Sequence, residues 1–270
     1  MTRHSLDRFV PIYHALQDSG VSFVIIGGQA CCLWARQYDE TNLGLRDFYP
    51  YVTRDLDLCA TTKDDVSAAG SALHVTPLYP RKRAASPELG ILKYHLSDGD
   101  VFIQILRGGF DVTAEEIIKR KQAYRWKEHS LLLEVMHPVI CLQEKVAAVC
   151  CREQRGRQDR RHLLMALQFV PSFITERIED SDPVEVLQVC QRILKISEGR
   201  HGMTCYAKRG LRPESAIPID SLAQSGKRKL VNFTKEEFPR KVEALELRRR
   251  RSLSSRRRAN PHPVARARCG

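Results

Sequence analysis

No stretch of this 270-residue sequence is apolar over the roughly 20 residues that a bilayer requires. The longest apolar run, Phe23 to Ala35, is interrupted by Gly27, Gly28 and Gln29, so no membrane span is expected. A charged start, apolar stretch and small-residue cleavage site are also missing, which points away from secretion and towards the cytoplasm. The nine cysteines are an odd number and include no C-x-x-C step, and no histidine pair stands at finger spacing. A disulfide framework and a zinc site are therefore not expected, and each free thiol is read as a small buried hydrophobe. Residues 248–270 have no acidic side chain but carry nine arginines of a chain whose net charge is +12, which leaves only about +3 for the remainder. A uniformly basic groove in the folded part is thus not implied. The excess belongs to a solvated tail suited to polyanions such as RNA, and with no aromatic side chain among its arginines that tail offers no base stacking.

The patterned part begins with Leu6, Phe9, Val10, Tyr13 and Leu16, spaced as one face of a helix. Val21 to Ile26 is short and β-branched and reads as a buried strand ending at Gly27-Gly28, with a helix following over Gln29 to Gln37. After a loop over Asp39 to Tyr51, Arg54 to Cys59 alternates as a half-buried strand, and a helix runs from the threonines at 61 and 62 towards Leu73. Pro77 to Pro87 reads as a loop. Ile91 to Leu96 and Val101 to Leu106 form a hairpin across Ser97-Asp98-Gly99-Asp100, because an Asp-Gly step favours a tight reversal. Leu131 to Val135 is a further strand, and helices follow over Val139 to Arg152, Arg157 to Phe169, Phe173 to Glu179 and Pro183 to Ile196. Beyond residue 198 the periodicity fades, leaving one weak helical stretch over Leu230 to Leu247. The reading is α/β (α+β): a mixed β-sheet core flanked by helices over 1–137, its helical continuation over 138–197, and a disordered, low-order basic tail over 198–270.

Within this frame a strand ends in two glycines where a helix starts, and a second strand carries Asp55 and Asp57. Residues two apart on a strand share a face, so the two carboxylates can grip a hard cation such as Mg²⁺. A glycine pair at a helix start leaves backbone N–H groups facing an anion, which suits a triphosphate.

Val24-Ile25-Ile26-Gly27-Gly28-Gln29-Ala30 followed by Thr53-Arg54-Asp55-Leu56-Asp57-Leu58 resembles the signature of the DNA-polymerase-β-like nucleotidyltransferases. Downstream, Leu142-Gln143-Glu144-Lys145-Val146-Ala147-Ala148 and then Gln158-Asp159 are similar to elements of the AbiEii-type branch, the toxins of type IV toxin–antitoxin systems. The resemblance spans roughly residues 5 to 170. It implies NTP and Mg²⁺, transfer of an NMP group to a hydroxyl, of RNA in some relatives, and an antitoxin protein as partner. Asp55 and Asp57 would hold metal, Gly27, Gly28 and Thr53 would line the nucleotide, and Lys145 with Asp159 would attend the triphosphate. Two positions depart from the pattern: Gln104 stands where a third carboxylate is expected, and His162 stands where a second acid would follow Asp159. A glutamine amide orients a hydroxyl but is no general base. A catalytically degenerate protein that binds NTP or a macromolecule is therefore the competing expectation.

Overall fold

The computed structural model describes residues 4–81, 87–154 and 157–259, with side chains to 252. In chain order the elements are β1 (His4–Ser5), α1 (Val10–Asp18), β2 (Val24–Ile25), α2 (Gly27–Tyr38), β3 (Val52–Thr53), β4 (Leu56–Cys59) and α3 (Lys63–Ala72). There follow β5 (Glu88–Leu96), β6 (Gly99–Leu106), β7 (Gly108–Gly109), β8 (Val112–Thr113), α4 (Ala114–Arg120), β9 (Gln122–Trp126) and β10 (Leu131–Val135). The rest is helical: α5 (Pro138–Cys151), α6 (Asp159–Asp180), α7 (Pro183–Glu198), α8 (Arg200–Arg209), α9 (Ile219–Gln224), α10 (Arg228–Asn232) and α11 (Phe238–Ala259).

Six strands form one mixed sheet in the order β5-β6-β4-β2-β10-β9. The pairings β6 with β4 and β2 with β10 are parallel, and the other three are antiparallel. Alternation drives this arrangement, since Leu56, Leu58, Ile103, Ile105 and Leu92 are all essentially inaccessible while their neighbours in sequence are less so. Helices α2, α5 and α6 pack together beside the sheet through small or apolar residues such as Ala30, Leu33, Leu142, Ala166 and Phe169. The expected mixed sheet flanked by helices is what forms, including the β5–β6 hairpin.

Three differences have physical causes. The segments expected as two helices around Pro171 are one helix, α6, because Phe169, Val170, Phe173 and Ile174 are all buried and packing outweighs the lost backbone bond. The edge strand β9 and the short helix α4, unforeseen in the sequence, are ordered by pairing and capping: β9 pairs with β10 over five residues, and the Thr113 hydroxyl accepts from the Glu116 N–H. The low-order tail expected from 198 is corrected over 200–259, where α8 to α11 follow one another. Leu222, Leu230, Phe233 and Leu245 are buried there, too widely spaced across short helices to give a sustained periodicity. The arginine run is not wholly solvated either. Arg249 is 1% exposed, forms a two-armed ion pair with Glu214 at 2.6 and 2.9 Å, meets Glu246 at 2.7 Å and lies 4.3 Å over the Tyr206 ring. Residues 260–270, the end of the expected tail, lie outside the described residues. Among the described residues no helix is long and apolar enough to cross a membrane. The eight described cysteines are free; Cys150 is half-buried and Cys151 exposed, against the expectation that all would be buried.

Candidate active site

Strand β2 ends at Ile25, Ile26 is the extended N-cap, and α2 begins at Gly27 in the left-handed region, φ +67°. A Cβ at Gly27 would lie 2.2 Å from Asp57 Oδ2, so only glycine lets the helix start against this carboxylate. The Asp57 carbonyl accepts from the Ile26 N–H at 3.0 Å, which binds β4 to the strand end leading into α2. No side chain caps this helix, whose first N–H groups lack helical acceptors by geometry. Gly28 is constrained by space alone: a Cβ would stand 2.7 Å from the His162 ring and 3.3 Å from the Thr53 hydroxyl.

Asp57 lies within β4, whereas Asp55 occupies the bend just ahead of it rather than the strand expected to carry both. The Thr53 hydroxyl donates to the Asp55 carbonyl at 3.1 Å and so shapes that bend. Across the parallel ladder Asp57 is paired with Gln104, so the glutamine occupies the neighbouring position on the adjacent strand. Asp100, on the same strand, is committed elsewhere through ion pairs with Lys93 at 2.7 Å and His95 at 2.5 Å.

Burial pushes the Asp57 carboxyl up to about 6; Asp55 and Glu144 add to the rise, and Lys145 and Arg152 oppose it. This carboxylate stands beside an uncapped helix start and feels the charge of a second carboxylate, Asp55. Among the described residues no group of three or more His, Cys, Asp or Glu side chains converges as a metal cluster. The candidate carboxylates here among the described residues are therefore Asp55 and Asp57. Mg²⁺ is commonly held in this way, by one or two carboxylates with waters and substrate phosphates completing its shell, so Asp55 and Asp57 fit such an ion.

Lys145 and Asp159 do not stand free to meet a nucleotide. Lys145 is 3% exposed and pairs with Glu144 at 2.8 Å and Asp159 at 3.6 Å, and Asp159 also meets Arg157 at 2.5 Å. Burial works against the Lys145 charge, but Glu144 and Asp159 together hold its ammonium above the ordinary lysine value. His162 is packed beneath Gly28, 4.0 Å from the Cys32 thiol, as a core histidine would be. Burial, reinforced by Lys145 and the nearby arginines against Asp159, pushes its pKa down to about 3.

Arg152 and Arg161 escaped the sequence reading. Arg152 is the exposed C-cap of α5, lies 4.7 Å over the Phe110 ring and acts electrostatically on Asp57. Its seven-residue offset from Lys145, two helical turns, was the available signal. Arg161 ties the loop before β3 to α6 by donating to the carbonyls of Phe48 and Pro50.

No family model matches the chain, and no curated protein matches it. Among solved structures, an antigenic nucleotidyltransferase-like protein from Paracoccidioides brasiliensis is similar to it. The two are 14% identical, the match covers 62% of this chain and 78% of the other, and the TM-score is 0.40. This likeness concerns part of the chain and by itself assigns it no activity.

Proposed function

We propose that the protein is a Mg²⁺-dependent nucleotidyltransferase that moves an NMP group from an NTP to a hydroxyl acceptor. The observation that carries the reading is the contact between the glycine start of α2 and the Asp57 carboxylate, an anion-attracting helix end set against a cation-attracting acid. A triphosphate accompanied by a divalent cation would satisfy both. The acceptor oxygen bonds to the α-phosphorus, the bond to the β-phosphate oxygen breaks, pyrophosphate leaves and the hydroxyl proton passes to water. A divalent cation on Asp55 and Asp57 would supply charge neutralisation at the phosphate oxygens. For the chain itself, Gly27 and Gly28 keep the phosphate approach open, Thr53 orients the Asp55 bend, and Arg152 adds positive charge at the rim.

A second reading rests on the pairing of Asp57 with Gln104. An amide in that position neither takes a proton nor adds charge for a second cation, so the site would bind NTP without transferring from it. Label transfer from α-³²P NTPs to total RNA and protein, in the natural chain and in Asp55→Asn/Asp57→Asn, decides between them. Label that depends on the aspartates establishes transfer. Its absence with every NTP, while nucleotide still binds, establishes the binding-only protein, and Gln104→Asp then restores transfer if the glutamine is the cause.

RNA contact is proposed for the exposed arginines of α11, Arg248 and Arg250, through phosphate charge alone. Replacing both with glutamine reduces the salt dependence of RNA binding if they take part, and an unchanged slope removes them.

A further inference from the structure

A cavity of about 820 Å³ whose lining includes neither aspartate lies between α5, α6 and α7. Its wall on α5 includes Val139, Ile140, Gln143 and Val146. At 100° per residue these lie well round the helix from Lys145, whose charge acts on Asp57, so α5 stands between the cavity and the aspartate site. The volume falls within the range of about 300–1,000 Å³ usual for small-molecule pockets.

The lining is unevenly charged. Five cations, Arg120, Arg177, Arg192, Lys195 and Arg200, face three carboxylates, an excess of two positive charges. One carboxylate, Glu116, serves two guanidiniums, Arg192 at 2.5 Å and Arg120 at 3.9 Å. Arg192 also donates to Gln143 at 2.7 Å but leaves its Nε buried and unpartnered. Arg177 donates to the Gln122 amide oxygen at 2.6 Å and lies 5.4 Å over the Phe173 ring. His137 registers the convergence: burial first, then Arg192, Arg120 and Arg177, push its imidazole down to about 3. Beside these cations stands an apolar wall with Ile140, Phe173, Val186 and Val189.

We infer that this cavity is a second ligand site, one that takes a nucleotide-sized phosphate monoester with its anion on the Arg120–Arg177–Arg192 group and its base on the apolar wall. Guanidiniums match phosphate oxygens with paired N–H donors, and such bonds gain strength where water is excluded. The site needs no metal, because the protein provides the positive charge.

The test is equilibrium dialysis of labelled adenosine 5′-monophosphate against the full chain in EDTA, which removes the cation on which the aspartate site depends. One AMP binds per chain, and adenosine or inorganic phosphate alone binds at least tenfold more weakly. The paired change Lys195→Gln/Arg200→Gln, at two exposed positions, weakens binding about tenfold, and Arg192→Gln weakens it further. Asp55→Asn/Asp57→Asn leaves it unchanged. In the same samples the His137 ring titrates at least one pH unit higher when AMP is bound, by NMR. Absence of AMP binding to the folded chain in EDTA overturns the inference. So does binding that survives the cleft substitutions, or binding that is lost with the aspartates.

Discussion

At Gly27 the chain must turn into a helix while leaving room for a carboxylate, and the left-handed backbone meets both demands only without a side chain. Gly27→Ala incurs the cost of an unfavourable φ and a collision with Asp57, together about 2 kcal/mol or more. Urea denaturation measures that loss, and NTP binding falls with it because the carboxylate is displaced. Asp57 presents the reverse case. Its carboxyl, raised to about 6, is ionised at neutral pH against the penalty of burial, so the site is held at the expense of stability. Asp57→Asn is expected to gain about 1–2 kcal/mol at pH 7.5 while abolishing transfer, with the gain vanishing below about pH 4, where the acid is protonated in both folded and unfolded chains. A variant no more stable than the natural chain at pH 7.5 would contradict that origin for the raised pKa.

Among the elements, α11 carries the largest difference between expectation and structure. Its Arg249 is not one more tail cation but the partner of buried Glu214. Removing the arginine strands a carboxylate whose burial would raise its pKa, were it not held low by Arg249. Arg249→Met is therefore expected to cost about 3–5 kcal/mol, whereas the neighbouring exposed Arg250→Met should cost less than about 0.5 kcal/mol. Comparable losses for both in thermal unfolding would mean that α11 does not depend on this pair. The same contact governs any truncation: ending the chain after 247 removes Arg249 and destabilises the fold, while ending it after 259 leaves the ion pair intact.

For the whole molecule, pH links the candidate site to stability. Two histidines, His162 under Gly28 and His137 at the cavity, have folded pKa values near 3 against an ordinary 6.5. The unfolded chain therefore takes up their protons first, so their contribution is complete above about pH 6.5 and is lost as pH falls towards 3. Asp57, raised to about 6, acts in the opposite direction over part of that range. Between about pH 5 and 6 His162→Gln should reduce the pH slope of unfolding free energy by about 1.4 kcal/mol per pH unit, one proton's worth. An unchanged slope in urea titrations would show that His162 is already protonated in the folded chain. Much of this architecture was legible in sequence because it rests on local rules. Period-two alternation located β4, the Asp-Gly step located the β5–β6 hairpin, and the glycine pair with Asp55 and Asp57 marked a candidate site from residue type and spacing, to which the family resemblance added Gln104. Only the tertiary structure decided the rest: that Asp57 faces Gln104 across a parallel ladder, that Lys145 is committed to buried carboxylates, that packing carries α6 through Pro171, and that Arg249 is core. Each depends on contacts between residues far apart in the chain, and charge counted along a sequence does not reveal which arginine has a carboxylate waiting for it.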